Sequence, residues 1–271
     1  MAGKIKWGIL GTGMIGNRFA EAVRDSERGI LHAVGSRSQE SADQFAQKHD
    51  VPHAFASYDE LLADPDIDAV YVSLPNHLHA EWAIKCAEAG KHILLEKPFA
   101  TNEAELELAL EAVERRGVFL MEAFMYRCHP QTAKIHEVVA SGAIGDLRII
   151  EANFAFNLGL ELNNMRLRND AAGGGLMDVG CYCMSIARLI AGAATGQPFA
   201  EPTEVQGVGH IGEQSRVDEY AVASVKFPGD ILARLACGNQ CHVDWGVWVW
   251  GEKGHIHIPN PWFPGEGENE I

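Results

Sequence analysis

The sequence predicts an α/β fold in two parts: a doubly wound parallel sheet over residues 1–123, then an α+β domain with a mainly antiparallel, open sheet over residues 124–271. Three observations support this. The chain opens on a short apolar run that ends in G-x-G-x-x-G and leads into a helical pattern. Strand and helix patterns then alternate up to about residue 121, which favours a parallel sheet. Beyond it strands follow one another, which favours antiparallel pairing.

The first strand, Ile5–Leu10, and the glycine loop after it predict a dinucleotide site of Rossmann type. The loop reads Gly11-Thr12-Gly13-Met14-Ile15-Gly16. Glycine at its three fixed positions allows a tight turn, lets backbone N–H groups approach a pyrophosphate, and lets the helix pack closely on its strand. The motif alone is a weak signal, but here it stands between a strand and a helix, as the mechanism requires.

The other elements of the first half follow from apolar runs and cap residues. The run 69–74 is apolar and β-branched, as in strands that are buried on both faces of a parallel sheet. Asn102 and Gly117 are predicted to start and stop one helix, and Ser57 with Glu60 forms a capping box that opens a short one. Further strands are predicted at residues 30–36, 92–95 and 118–121, and further helices at 39–49 and 77–89.

The second half is predicted to begin with helix 131–140 and strand 147–156. A run of three glycines at 173–175 precedes a helix over 176–191, and five strands follow, at residues 204–211, 219–227, 231–237, 246–250 and 255–258. Residues 259–269 are rich in turn formers and contain no closing element. We therefore expect a second domain that is truncated at its C-terminus.

Composition excludes several classes of partner. Lysine and arginine number 22 against 37 acidic residues, and the net charge of −15 repels nucleic acid and anionic lipid over most of the surface. No apolar stretch is expected to approach the roughly 20 residues that a membrane span needs. The first strand is expected to lie too close to Met1 to leave room for a signal peptide. We expect a cytoplasmic protein with no nucleic-acid or membrane partner.

The six cysteines show no C-x-x-C spacing, so reduced thiols are expected. Cys237, Cys241 and His242 are candidate metal ligands together with His255 and His257. The spacing matches no zinc pattern, and alternation along a strand explains the two later histidines equally well. No metal is predicted.

The residues after the second strand indicate which dinucleotide binds. NAD-binding Rossmann domains carry an acidic residue about 20 positions beyond the loop, which holds the ribose 2′-hydroxyl. This chain has Ser36, Arg37 and Ser38 in that region, which offer donors to a 2′-phosphate. The sequence favours NADP over NAD. In the alternative interpretation Arg37 is an ordinary exposed loop charge and NAD serves equally well.

Four motifs in this order resemble the Gfo/Idh/MocA oxidoreductase family over nearly the whole chain. They are the glycine loop at 11–16, Leu74-Pro75-Asn76-His77-Leu78-His79, Glu96-Lys97-Pro98, and the segment 173–182, which reads GGGLMDVGCY. Many members carry histidine four residues after the aspartate of the last motif, whereas this chain has Tyr182. Together with residues 122–130, EAFMYRCHP, this tyrosine resembles the branch of trans-dihydrodiol dehydrogenases, NADP-dependent D-xylose dehydrogenases and glucose–fructose oxidoreductase.

The resemblance implies hydride transfer between nicotinamide and a hydroxyl of a sugar or cyclic diol, either C1 of an aldose or a trans-dihydrodiol. It also implies a homodimer formed through the second-domain sheet, although the closing strand and helix of that domain are not expected here. Two alternatives stay open: a non-catalytic dinucleotide-binding sensor or regulator of the same fold, and an inactive truncated remnant.

Asp178 and Tyr182 lie four residues apart on a predicted helix, so their side chains are expected to share one face. Tyr182 is the expected proton acceptor, with Lys97 favouring its phenolate and polarising the substrate oxygen. Alternatively Lys97 itself carries the proton, with its pKa lowered by burial and by the cationic nicotinamide. Asp178 would orient a substrate hydroxyl or hold Lys97 charged. A core tyrosine and a first-turn carboxylate are the structural alternatives for Tyr182 and Asp178.

The family likeness also implies contacts around the nicotinamide. Leu74, Pro75 and Asn76 would lie beside its ribose with His79 nearby, and Glu96 with Lys97 would complete the cofactor side. The Lys97–Pro98 peptide bond is expected to be cis. On the substrate side, expected at the first strand of the second domain and the segment after it, we place Phe154, Phe156, Asn157 and Arg166, with core packing favoured for one of the two phenylalanines.

Overall fold

The computed structural model describes residues 3–265. The chain divides into two compact units, Met1–Ala123 and Phe124–Ile271. Each unit contains its own hydrophobic core and its own six-stranded sheet.

The sheet of the first unit is parallel throughout, with strand order β3-β2-β1-β4-β5-β6. Strand order reverses between β1 and β4, and open α/β sheets bind ligands at the carboxyl ends of the strands at such a reversal. The predicted doubly wound sheet is therefore confirmed. Its strands are β1 Ile5–Leu10, β2 Gly29–Gly35, β3 His53–Phe55, β4 Ala69–Val72, β5 His92–Leu95 and β6 Leu120–Glu122.

Five α-helices connect these strands, and their ends match the predicted caps. The Ser57 hydroxyl accepts from the backbone N–H of Glu60, and the Asn102 side chain accepts from that of Glu105 at 3.0 Å. Gly117 ends its helix with φ +65°. The helices are α1 Met14–Arg24, α2 Gln39–His49, α3 Tyr58–Ala63, α4 His79–Glu88 and α5 Glu103–Arg116.

The sheet of the second unit has strand order β12-β11-β7-β10-β9-β8. All neighbours are antiparallel except β7 and β10, so the expectation of a mainly antiparallel sheet is confirmed. One face packs on helix α7 Cys181–Thr195, which packs in turn on α6 Pro130–Ala140, and alternate strand residues face away from α7. The strands are β7 Leu147–Ala155, β8 Glu204–Ile211, β9 Asp218–Phe227, β10 Ile231–Gly238, β11 Gly246–Gly251 and β12 His255–Ile258.

The segment before α7 departs from the predicted regular helix. Leu176–Gly180 forms a π-helical turn, and α7 begins directly after it. With the short turns ahead of it, the helical run Asn169–Thr195 is long and apolar enough to cross a membrane by length and composition, the one such run among residues 3–265. The expectation that no apolar stretch approaches the length of a membrane span was therefore wrong for this run. Two thirds of its apolar window (67%) is buried, because these side chains form the core of the second unit.

Two other features were not predicted. The three-residue strand β3 is too short to show alternation in the sequence. In the turn-rich segment after β12, Trp262 is fully buried, stacks on Phe154 with ring centroids 5.2 Å apart, and donates from Nε1 to the Asn153 carbonyl at 3.0 Å. Trp262 therefore belongs to the core of the second unit; residues 266–269 lie outside the described residues.

Candidate active site

The three glycines of the loop 11–16 serve different purposes. Gly11 has φ +101°, which side chains rarely adopt, and a Cβ on Gly16 would lie 2.8 Å from the Gly11 carbonyl oxygen. These two glycines are needed for the turn and for the close approach of α1. A Cβ on Gly13 would meet nothing within 4 Å. The space at Gly13 is open, as a backbone that receives a ligand requires.

The N-terminus of α1 is suited to an anion. Its N-cap residue is Gly13, no side chain caps it, and its first turn carries no acidic residue. The other four α-helices of the first unit each carry at least one acid in the first turn. Free N–H groups and the positive end of the helix dipole therefore remain available, and a pyrophosphate is the ligand that such a loop fits.

Two side chains that the sequence analysis missed hold this loop. The Ser73 hydroxyl, just after β4, donates to the Leu10 carbonyl at 2.8 Å. The Asn17 amide donates to the Gly13 carbonyl at 2.8 Å, and its oxygen accepts from Lys48 at 2.7 Å and lies 2.8 Å from His49 Nε2. Polar residues of this kind carry no periodic signal, so only the structure identifies them.

At the end of β2, Ser36 is buried and Arg37 is exposed. The Ser38 hydroxyl caps α2 by accepting from the Ser41 N–H at 3.3 Å. Burial raises the pKa of Tyr58, the first residue of α3, and the Arg37 cation lowers it. The charge of Arg37 therefore acts on the Tyr58 side chain. The segment 35–38 thus presents an exposed guanidinium without a carboxylate beside it in sequence.

The loop after β5 carries Lys97, and side chains from other elements hold its backbone. Tyr71 of β4 donates its hydroxyl to the Glu96 carboxylate at 2.5 Å, and Glu122 of β6 accepts from the Phe99 N–H at 2.9 Å. Burial raises the pKa of Glu96 above its ordinary value, against the lowering by Tyr71 and by the Lys97 charge. The Lys97–Pro98 bond is cis, as predicted.

The segment after β4 contains the other residues predicted for the cofactor side. Leu74 is buried, and Pro75 and Asn76 are half-buried where a single 3₁₀ turn, Asn76–Leu78, leads into α4. His79 is fully buried, with Nδ1 2.6 Å from the Pro98 carbonyl oxygen and Nε2 2.7 Å from that of Leu74. Its ring nitrogens therefore face the backbone of two loops, and the prediction that His79 lies near the cofactor stays a prediction.

In the second unit, the glycine run explains how the segment of Asp178 and Tyr182 begins. A Cβ on Gly173 would lie 2.6 Å from the carbonyl oxygens of Met165 and Arg166, and one on Gly174 would lie 2.1 Å from Asp218 Oδ1. The Asp218 carboxylate accepts from the Leu176 N–H at 2.6 Å. Asp218, which the sequence analysis did not single out, thus anchors the start of this helical run.

Asp178 and Arg166 form one pair. Arg166 Nε donates to Asp178 Oδ2 at 2.8 Å, and the Asp178 side chain is only 10% exposed. The Arg166 carbonyl accepts from the Asn239 amide at 3.2 Å, which fixes the arginine backbone. The structure therefore gives Asp178 a guanidinium partner that the sequence analysis had placed separately, on the substrate side.

Tyr182 lies in an aromatic cluster with Phe124, Phe154 and Trp262, at ring-centroid distances of 5.2, 5.5 and 5.9 Å. Its hydroxyl is 3.7 Å from the Met125 sulfur. Tyr182 stands at the start of α7, directly after the π turn that carries Asp178. Phe154 is buried core, Phe156 is half-buried, and the exposed Asn157 caps a turn through the Gly159 N–H.

A separate group, His32, Asp64 and Asp66, brings its ligand-type atoms within 4.8 Å of one another. The Lys6 ammonium bonds Asp66 at 2.7 Å, and His32 Nε2 lies 3.2 Å from Asp64. The Lys6 ammonium balances the charge of Asp66, and the group contains none of the residues considered for a metal above.

Two family models match the chain. The first, described as an oxidoreductase family with an NAD-binding Rossmann fold, matches residues 5–124. The second, described as the GFO/IDH/MocA C-terminal domain, matches residues 132–257.

Individual proteins match over most of this chain. The trans-1,2-dihydrobenzene-1,2-diol dehydrogenase of Mus musculus is 34% identical over 97% of this chain and 77% of its own length. A D-xylose 1-dehydrogenase (NADP⁺) of Haloferax volcanii is 41% identical over 79% of this chain and 65% of its own. The crystal structure of KijD10, a 3-ketoreductase from Actinomadura kijaniata in complex with NADP and TDP-benzene, superposes with TM-score 0.87 at 28% identity, covering 96% of this chain and 78% of that one.

Proposed function

The chain belongs to the Gfo/Idh/MocA family of oxidoreductases, and from that premise we propose that it is an NADP-dependent dehydrogenase of a sugar or cyclic diol. In this proposal the oxidised group is a secondary hydroxyl, either C1 of an aldopyranose or one carbon of a trans-dihydrodiol. The names of its relatives support this substrate class.

The observation that carries the proposal is the uncapped, acid-free N-terminus of α1 above the open space at Gly13. In a chain of net charge −15, such a site is suited to a pyrophosphate. Arg37 at the end of β2 would hold the 2′-phosphate, with Ser36 beside it in sequence. Leu74, Pro75 and Asn76 would lie beside the nicotinamide ribose.

NADP⁺, when bound, accepts the hydride from the carbon that bears the hydroxyl. The hydroxyl proton must leave at the same time, and we assign it to the Tyr182 oxygen as phenolate or to the Lys97 Nζ as free amine. The Lys97 ammonium polarises the substrate oxygen in the first case. Arg166, paired with Asp178, would bind a neighbouring substrate hydroxyl. The products are a ketone or lactone, NADPH and one proton.

The exposed face of the second sheet supports a homodimer. Val208 of β8 lies opposite Val222 of β9, and Leu232 of β10 lies opposite Ile149 of β7; all four are exposed large apolar side chains. A groove of about 650 Å³ runs over this face, lined by Gln206, Val208, Val222, Ser224 and Arg234 among others. Exposed apolar side chains beside a groove are typical of an interaction surface, and a second copy offers a matching one.

Absorbance at 340 nm tests the activity, with NADP⁺ or NAD⁺ and a panel of aldoses and cyclic diols. Absorbance growth that requires NADP⁺ and one substrate class supports the proposal. Tight NADPH binding without turnover on any substrate would indicate the non-catalytic sensor, and absence of binding would indicate a remnant.

A further inference from the structure

His79 connects two loops of the first unit through one buried ring. Its Nδ1 meets the Pro98 carbonyl oxygen at 2.6 Å and its Nε2 meets the Leu74 carbonyl oxygen at 2.7 Å. Leu74 follows β4 and Pro98 follows β5, and these strands are neighbours in the parallel sheet. The ring therefore spans the carboxyl ends of two adjacent strands, where such sheets bind ligands.

The two contacts place unusual demands on the ring. A neutral imidazole has one N–H and can donate to one of the two carbonyls at a time, whereas an imidazolium donates to both. Burial lowers the pKa of His79, the two carbonyl contacts raise it to a smaller extent, and the Lys97 and His77 charges lower it further. Burial of a polar ring costs free energy, and the hydrogen bonds of its nitrogens offset that cost only while both loops hold their positions.

Three side chains from three elements contact the residues on both sides of Lys97. Tyr71 bonds the Glu96 carboxylate before it, His79 contacts the Pro98 carbonyl after it, and Glu122 accepts from the Phe99 N–H one residue further on. His79 also contacts the loop that begins at Leu74. It therefore ties the Lys97 loop to that neighbouring loop.

We propose that His79 is a positioning residue, which fixes the Lys97 backbone relative to the 74–76 loop and thereby sets where the Lys97 ammonium meets the substrate oxygen. This inference rests on the proposed function, in which Lys97 acts on that oxygen. Misplacement of a reacting group by about 1 Å costs on the order of 10²-fold in rate.

The first test compares His79→Leu with His77→Leu, a matched control at an exposed histidine two residues away. We expect His79→Leu to slow single-turnover hydride transfer by about 10²-fold while the Kd for NADPH, from fluorescence quenching, changes less than about three-fold. His79→Gln, whose amide can still donate, should recover part of the rate. A wild-type rate in folded His79→Leu would overturn the proposal.

A second test asks whether His79 acts through Lys97. In a Lys97→Met background the ammonium is already absent, so adding His79→Leu should cost less than about three-fold. The same ~10²-fold loss in both backgrounds would mean a general structural role and would overturn the proposal.

A readout that needs no turnover separates this inference from the proposed function. Amide hydrogen exchange at Phe99, whose N–H bonds Glu122, should speed up about ten-fold or more in His79→Leu and stay unchanged in His77→Leu. If wild type oxidises no substrate, the proposed function is wrong. Unchanged exchange at Phe99 in His79→Leu would then also overturn the positioning role of His79. Should His79→Leu fail to fold, the smaller variant His79→Ala, which can donate to neither carbonyl, is compared with wild type in the same measurement, where wild-type exchange again overturns the proposal.

Discussion

Arg37 is the side chain that bears most directly on cofactor choice, since it stands exposed at the end of β2, where NAD-binding domains carry an acid. Replacing it with aspartate removes a donor to the 2′-phosphate and introduces repulsion. We expect Arg37→Asp to lower the ratio of kcat/KM for NADP⁺ to that for NAD⁺ by about 10- to 100-fold, since a charged hydrogen bond contributes about 1.5–3 kcal/mol. Arg148→Asp, an equal charge change on β7, is the control. An unchanged ratio would mean that Arg37 is an ordinary loop charge.

Glu96 gives a prediction for pH. Burial raises its pKa above the ordinary 4.5, so the folded protein holds a proton there that the unfolded chain has released. Stability from this group is present below pH 4.5 and is lost as pH rises through the raised pKa. The melting temperature of Glu96→Gln should therefore rise relative to wild type as pH rises above 4.5. Glu107→Gln, exposed on α5, should show no such trend; a flat difference for Glu96→Gln would contradict the assignment.

Not every site residue could be placed from the sequence. Lys97 and Arg37 were placed from motif position, because a strand end in a parallel sheet fixes which edge a residue occupies. Asp178 was singled out, but its partner Arg166 lies 12 residues away across an irregular segment, so no spacing argument could pair them. Ser73, Asn17 and Asp218 were missed because each acts on backbone atoms, and such contacts leave no pattern in sequence.

Helices and strands were predicted best where local chemistry alone decides them. α2, β1, β5, β8 and β12 have the predicted bounds, since cap residues or clear alternation mark their ends. The π turn at Leu176–Gly180 could not be predicted, because it depends on Asp218 from β9 and on carbonyl oxygens of the preceding loop that leave room only for glycine.

The loop before α1 allows a matched pair of glycine substitutions. Gly13→Ala meets no atom within 4 Å, so we expect a small loss of stability, about 1 kcal/mol from the poorer N-cap, and a rise in the NADPH Kd of about ten-fold or more. Gly16→Ala forces a Cβ to 2.8 Å from the Gly11 carbonyl oxygen and should cost about 1–3 kcal/mol of stability. Calorimetry and fluorescence titration measure both. Tight NADPH binding by Gly13→Ala would show that no phosphate lies over this residue.

The two units differ in the surface features that suit them to binding. The net charge of −15 opposes anion binding in general, so the cofactor site depends on local features: the α1 N-terminus and Arg37. The second unit combines a buried aromatic core with a sheet face that exposes valine, leucine and isoleucine. That the second sheet is open was predicted from the sequence, but how much apolar surface it exposes depends on register, which the turns set.

The open sheet face predicts the assembly state. Val208 of β8 is 74% exposed and lies opposite Val222 of β9 in the register, at the groove on this face. A glutamate at position 208 would bring a carboxylate from each copy into the interface, where an unpaired desolvated charge costs several kcal/mol. We expect Val208→Glu to elute as a monomer in size exclusion with light scattering, against a dimer for wild type. Leu108→Glu, at an exposed apolar residue of α5 in the first unit, should remain dimeric. A dimer of Val208→Glu as tight as wild type would place the contact on another surface, and a monomeric wild type would leave this face without a second copy.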